Sequence, residues 1–286
     1  MQTHYIESLT AAAESDPRIR AAWLTGSFGK GMADRWSDVD AHLLIDPAHS
    51  DDFRAGVQGW LESLRPLVLY RLMFGGQMVN AMTDEGMRLD VWLHDGASAE
   101  VVERQTQVLF AEEGSLTWKP HPGTELSQAQ AAAALEQAIP EFWRCVSMLP
   151  VALGRDEKLI GAAGNFLILL LLTDVLSVQS GIRKDRGVKA LNGFLPPELR
   201  RLAEDATSLP ALTLEELARF QLRLARIMQE HGPAICKQWN VDYPQALEDA
   251  ALGYVSLELQ RLGFRDILQQ SGVGDGKRTA LDENIR

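Results

Sequence analysis

The sequence predicts an α+β fold, with a mixed sheet and flanking helices in the N-terminal part and an all-α helical bundle after it. Three observations predict this. Alternating apolar patterns of strand type concentrate between residues 19 and 94. His121-Pro122-Gly123 then punctuates the chain, and strand patterns nearly vanish beyond it. From there to about residue 268 the periodicity is helical. The divisions expected are 1–122, 123–270 and a loose polar tail at 271–286.

Each element has its own signal. Residues 2–15 carry Tyr5, Ile6, Leu9 and Ala12 at helical spacing, and Asp16-Pro17 ends that helix. Ile19 to Thr25 reads as a short strand and Asp38 to Ile45 as the clearest one, closed by Asp46-Pro47. Residues 51–64 look helical, and Leu67 to Phe74 reads as a strand. Gln77–Thr83 and Met87–His94 form a hairpin around Asp84-Glu85-Gly86. Helices are expected at 126–149, 156–180, 197–206, 213–231 and 244–268. The run Phe166–Leu172 is apolar all round, which predicts a helix over 160–178 buried on nearly all sides. That helix is expected at the centre of the bundle or in a homodimer interface. The seven-residue run is too short for a membrane span, which needs about 20 residues, so no membrane partner is expected.

Composition narrows the classes. Hydrophobic residues are 46% and charged residues 23% of 286, an ordinary globular balance large enough for an unstapled core. Cys145 and Cys236 are far apart, and neither they nor the six histidines show zinc-ligand spacing. A reducing, cytoplasmic setting fits this, as does a start without a basic, apolar leader. The formal net charge of −11 argues against a nucleic-acid partner and favours a cationic small substrate, or serves only solubility.

The chemistry lies between residues 24 and 45. Asp38 and Asp40 are two apart on the expected strand, so both point to one face. Close carboxylates repel unless a cation lies between them, and magnesium prefers such hard oxygen ligands together with substrate phosphates. Gly26 allows close backbone approach to a phosphate, and Ser27 adds a hydroxyl and an N–H. The segment after Gly26 can begin a helix whose N-terminus favours an anion. In Met87–Leu93, Arg88, Asp90 and Trp92 share one face. If this strand lies beside the Asp38–Asp40 strand, three carboxylates meet at one point, enough for a site with two metal ions. Asp84 and Asp95 lie nearby but fall in a turn and at a strand end. An isolated Asp-x-Asp is usually a solvated strand end. Here Gly-Ser precedes it with ten residues between Ser27 and Asp38, in the order strand, turn, helix, strand.

Gly26-Ser27, a spacer, Asp38-x-Asp40 and the later Asp90 together resemble the DNA polymerase β-type nucleotidyltransferase superfamily. Gly-Ser-Phe-Gly-Lys-Gly and Trp-Ser-Asp-Val-Asp look most like the lincosamide and aminoglycoside antibiotic nucleotidyltransferases. The resemblance implies a nucleotidyltransferase domain followed by a helical, acceptor-binding domain. It implies that Gly26 and Ser27 hold the β,γ-phosphates of ATP or another NTP, that Asp38 and Asp40 bind Mg²⁺, and that Asp90 binds the catalytic ion. The reaction implied is transfer of a nucleoside monophosphate to a small hydroxyl-bearing molecule, with release of pyrophosphate. A protein acceptor is one alternative, and an antitoxin or binding module on the same fold is another.

Weaker candidates keep two readings each. Lys30 and Arg35 can neutralise triphosphate charge or can be solvated loop residues. Arg183-Lys184-Asp185-Arg186-Gly187-Val188-Lys189 is the densest basic cluster, and reads better as a solvated helix end than as a phosphate clamp. In antibiotic nucleotidyltransferases an acidic residue facing the acceptor hydroxyl can act as general base. Glu157, and after it Asp156, can fill that role, or can simply start a helix. Phe142, Trp143 and Trp239 read as core or pocket walls, and His42 as lining the site or as a satisfied structural histidine.

Overall fold

The structure is a computed structural model that describes residues 1–184 and 188–273. The chain divides into two compact units, Met1–Gly123 and Thr124–Arg286. The tail expected at 271–286 lies, from residue 274 on, outside the described residues, as do Asp185, Arg186 and Gly187 of the basic cluster.

In the first unit, α1 (Gln2–Ser15) leads into β1 (Ile19–Leu24), the single turn α2 (Gly26–Gly29), β2 (Val39–Ile45) and α3 (Ser50–Leu64). Five strands plus one complete the unit in chain order: β3 (Leu67–Met73), β4 (Met78–Thr83), β5 (Arg88–Asp95), β6 (Ala99–Val102), β7 (Gln107–Ala111) and β8 (Leu116–Lys119). Six strands form one sheet in the order β3-β4-β5-β2-β1-β7, and β6 with β8 form a small second sheet. The large sheet is mixed: β5 and β2 run parallel and the other pairs are antiparallel. The parallel pair is possible because α3 and the β3–β4 hairpin intervene as a crossover.

Strand alternation divides this sheet into two faces with different tasks. Leu24, Ala41, Leu43, Leu89, Val91 and Val79 face α1 and α3 and pack against Leu9, Phe53, Val57 and Leu61. The opposite face carries the polar positions of β2 and β5, visible in the alternating burial of Arg88–Asp95. At one end of that face Trp23, Ala21 and Leu44 pack against Val101 of β6. The three strands β6, β7 and β8 have no counterpart in the sequence-based expectation. They are four or five residues long with few buried positions, too short for a clear period-2 signal.

The second unit contains α4 (Gln128–Val146), α5 (Leu149–Gly154), α6 (Lys158–Val178), α7 (Pro197–Ala206), α8 (Leu214–Gln238), α9 (Gln245–Arg261) and α10 (Arg265–Ser271). Ser127 starts α4 with a reciprocal capping box to Gln130. Phe142 and Trp143 are fully buried among α4, α6 and α8, and the Trp143 indole N–H donates to the Tyr243 hydroxyl at 2.9 Å. Helix α8 runs seven residues past the expected stop at 231, through Pro233, because Ile235 and Cys236 continue its buried face. Tertiary packing there outweighs the helix-breaking tendency of proline.

One expectation is corrected. Helix α6 is not buried on all sides. Ile168, Leu172, Val175 and Leu176 face the core, whereas Leu159, Ile160, Phe166, Leu167 and Leu170 are exposed. Helix α6 has 21 residues and an 18-residue window of mean hydropathy 2.1, long and apolar enough to cross a membrane by length and composition, so the seven-residue run understated it. Its inner face is specified by Asn165, whose side-chain amide donates to the Leu217 carbonyl at 2.9 Å, and by Gly161, where a Cβ would stand 3.1 Å from Leu217. Denaturant unfolding checks the two faces. Leu172→Ala is expected to cost about 2–5 kcal/mol, and Leu170→Ala within about 0.5 kcal/mol of zero, as at other surface sites.

Candidate active site

The site is built at the edge where β1 ends and β2 and β5 begin. Thr25 is extended, and its N–H donates to the Asp40 carbonyl at 2.9 Å. The chain then turns at Gly26, with φ +58°, into the single helical turn Gly26–Gly29. Asp40 explains the glycine. A Cβ at position 26 would lie 2.0 Å from Asp40 Oδ2, so only glycine lets the loop lie against this carboxylate. Gly29 is equally constrained, since a Cβ there would meet the Gln105 carbonyl at 2.3 Å and the Leu24 carbonyl at 2.7 Å. The Gly-x-x-Gly spacing was the available signal for Gly29, but its meaning depends on the turn at Gln105, far along the chain. Between the two glycines, the Ser27 hydroxyl is buried and has no hydrogen-bond partner. A buried unpartnered hydroxyl is costly unless something else satisfies it.

Asp40 and Asp90 stand directly opposite each other in the parallel β2–β5 register, and Asn80 stands opposite Asp90 on its other side. The Asn80 side-chain amide donates to Asp90 Oδ1 at 2.7 Å, orienting that carboxylate. Asp38 lies one residue before β2 rather than on it. Among the described residues no three His, Cys, Asp or Glu side chains are grouped so that they could hold a metal ion, Asp38, Asp40 and Asp90 included.

A second row lies one pleat further along the same face. His42 stands opposite Trp92 on one side and Trp23 on the other. Its Nε2 is 2.9 Å from Thr25 Oγ1 and its Nδ1 is 2.9 Å from His94 Nε2, so a hydrogen-bonded chain runs Thr25–His42–His94. The His42 ring stacks on Trp23, Trp92 and His94. Burial, with His94 alongside, pushes His42 down to about 3, and burial lowers His94 as well, so both rings are neutral at pH 7. One end of the chain is Thr25, the residue immediately before Gly26. His42 therefore fixes the start of the loop rather than presenting a charge. His94 and Thr25 escape sequence reasoning because only the sheet register places them beside His42.

The loop before β2 is held from outside. The Gln2 side-chain amide donates to the Arg35 and Ser37 carbonyls, each at 3.1 Å, and Arg88 donates to the Trp36 carbonyl at 2.8 Å. Asp34 accepts from the Trp36 N–H at 2.9 Å and from Ser37 Oγ at 3.0 Å. Arg35 is exposed, with its guanidinium 5.0 Å from the Trp36 ring centre. Lys30 closes α2, with its N–H turned back to the Gly26 carbonyl.

The remaining candidates lie in the second unit. Glu157 is the exposed residue before α6, and its side chain makes no capping bond to the helix. Asp156 has φ +54° and lies 3.6 Å from the Lys158 ammonium. Arg183 and Lys184 line a cavity of about 370 Å³ with Gln130, Leu171 and Asp174, and Lys184 pairs with Asp174 at 2.5 Å.

No family model matches the chain, and no curated protein matches it. Solved structures similar to it include an aminoglycoside 6-adenyltransferase from Bacillus subtilis, at 14% identity and a TM-score of 0.39, over 91% of this chain and 97% of that one. At this distance, what the site can do rests on its own geometry: two carboxylates in parallel register over a glycine turn that holds an unsatisfied serine hydroxyl.

Proposed function

We propose that this chain is a magnesium-dependent nucleotidyltransferase. It would move a nucleoside monophosphate, AMP from Mg-ATP in the first instance, to a hydroxyl of a small molecule such as an aminoglycoside or lincosamide. The observation that carries the proposal is the placement of Asp40. It stands opposite Asp90 in the sheet, and its carboxylate fills the space a side chain at position 26 would need. Metal ligands and phosphate loop are thereby fixed to each other with no flexible link between them.

In this proposal Asp40 and Asp90 would hold Mg²⁺, with Asp38, two residues before Asp40, as a further candidate ligand, and the ion would supply neutralisation of the triphosphate and of charge developing on the leaving pyrophosphate. The donor set suits that ion, being carboxylate oxygens that leave room for substrate oxygens. Asn80 keeps Asp90 oriented. The Ser27 hydroxyl and the loop N–H groups take phosphate oxygens, with Lys30 and Arg35 adding positive charge. The acceptor oxygen forms a bond to the α-phosphorus while the bond from that phosphorus to the β-bridging oxygen breaks, and pyrophosphate leaves. The acceptor proton passes to a base. Glu157 is proposed for this, with Asp156 second, since carboxylates holding a cation are poor proton acceptors. The similar solved structure is named for a transfer of the same class.

Pyrophosphate release from Mg-ATP, measured against a panel of hydroxylated cationic small molecules, tests the proposal. No release with any acceptor, and no nucleotide binding, would defeat it. Two variants examine the parts. Ser27→Ala should leave the apo stability unchanged or slightly raised, because it removes an unsatisfied buried hydroxyl, yet weaken nucleotide affinity about tenfold, the worth of one charge-assisted hydrogen bond. Glu157→Gln should lower turnover by about 10²-fold or more with nucleotide affinity unchanged. That loss should shrink as pH rises, because an acceptor hydroxyl needs less help to ionise there. Full activity in both Glu157→Gln and Asp156→Asn would remove the helical unit's carboxylates from the proposal.

A further inference from the structure

The sheet face that carries Asp40 and Asp90 continues past them to the edge strand β3, and beyond Asn80 the proposed chemistry uses nothing there. Residues directly opposite each other on neighbouring strands share one side of a sheet. Arg71, Asn80, Asp90 and Asp40 form one such row. Met73, Met78, Trp92 and His42 form the next, about 7 Å further along β5. Rings run along this second row. Trp23 stacks on His42 at 5.2 Å, His42 on Trp92 at 6.2 Å and Trp92 on Phe74 at 5.4 Å, with interplanar angles of 11°, 10° and 15°. The stack ends on Phe74, which is 61% exposed although it lies on Trp92. Its place is fixed. Phe74 has φ +50°, a conformation rare for a bulky residue. Its turn is tied to β5 by Arg54, which donates to the Gly76 and Leu93 carbonyls and pairs with Asp95 at 2.7 Å. Such strained positions persist where the surroundings impose them, and they cluster at ligand-binding sites.

The geometry points to Phe74, seated on Trp92, as the platform for an apolar or aromatic ring borne by the hydroxylated acceptor. This rests on the reading of Asp40 and Asp90 as the metal site. The direction of the reaction says which substrate lies here. In phosphoryl transfer the attacking and leaving oxygens are roughly in line through the phosphorus. The strands run β3-β4-β5-β2-β1, and the Gly26 loop, which would hold the leaving pyrophosphate, follows β1 and lies against Asp40. The acceptor oxygen therefore arrives from the opposite end of the row, across Asp90, from the side of β4 and β3. Charge narrows the acceptor's chemistry. The positions of β3 and β4 on this face are Leu69, Arg71, Met73, Met78, Asn80 and Met82. Arg71 is the one ionisable group among them, and none is a carboxylate. A polycation finds no counter-charge on this wall. A sugar or polyol with an aromatic substituent finds a ring to stack on and apolar side chains beside it.

Saturation-transfer NMR on the full chain, with Mg²⁺ and a non-hydrolysable ATP analogue present, tests this. The probes are phenyl β-D-glucoside, methyl β-D-glucoside and the dication 2-deoxystreptamine. Phenyl glucoside should bind about tenfold more tightly than methyl glucoside, the worth of one good ring stack. Saturation should reach its ring protons first. Phe74→Leu keeps apolar bulk on Trp92 but no ring, and should bring the two glucosides within about twofold of each other. Phe74→Tyr should restore the difference. The thermal shift given by Mg²⁺ and the analogue should be the same in Phe74→Leu as in wild type, which also shows that the variant is folded. Equal binding of the two glucosides to wild type, or a ring preference that survives Phe74→Leu, would overturn the inference and leave the nucleotide site standing. So would tighter binding of 2-deoxystreptamine than of phenyl glucoside. Loss of the nucleotide shift in a folded Phe74→Leu would overturn it by giving the platform to the nucleobase. No nucleotide shift in wild type would defeat the metal–nucleotide reading itself, and the acceptor platform with it.

Discussion

Asp40→Asn is expected to lower nucleotidyl transfer by about a thousandfold or more while the protein remains folded. The charge stabilisation supplied through a metal ion is worth several kcal/mol, and each 1.4 kcal/mol is tenfold in rate. Asp90→Asn should behave alike, because the two residues are register partners on adjacent parallel strands. The fold should survive the substitution, because asparagine keeps the shape of the side chain that packs against Gly26. Steady-state rates with saturating Mg-ATP and circular dichroism on the same samples check both halves. An Asp40→Asn or Asp90→Asn enzyme within tenfold of wild type would show that this pair does not hold the catalytic metal.

Gly26→Ala is expected to combine two losses. The residue has φ +58°, where an L side chain is strained by about 1–2 kcal/mol. The added Cβ would also stand 2.0 Å from Asp40 Oδ2, so the carboxylate must rotate off its place. The melting temperature should therefore fall, and activity should fall nearly as far as in Asp40→Asn. The double variant Gly26→Ala/Asp40→Asn should be hardly less active than either single one, because both act on the same carboxylate. Additive losses in that cycle would mean that Gly26 acts independently of Asp40.

The parts of the fold that were legible in the sequence are those with local signals. Helix α1 shows its apolar spacing and its Asp-Pro stop, and β4–β5 show alternation across a turn. Gly26, Ser27, Asp38 and Asp40 form one short motif, and Asp90 follows from the face it shares with Arg88 and Trp92. What escaped depends on residues distant in sequence. The Asn80–Asp90 bond spans an antiparallel pair, the His42–His94 contact spans a parallel one, and Gly29 is explained by Gln105. Helix α6 failed for a different reason. An unbroken apolar run carries no moment that tells an inward face from an outward one, and Asn165 with Gly161 supplies that distinction only once Leu217 is in place.

The most direct measurement is the thermal shift produced by Mg²⁺ together with a non-hydrolysable ATP analogue, in wild type and in Asp40→Asn. A ligand bound only to the native state raises stability by about 2.7 kcal/mol at one hundred times its dissociation constant. The wild-type melting temperature should rise by several degrees with both ligands present, and by much less with either alone. Asp40→Asn, folded by circular dichroism, should lose most of the shift. An equal shift in Asp40→Asn, or no shift in wild type at saturating ligand, would contradict the assignment of this sheet edge as a metal–nucleotide site.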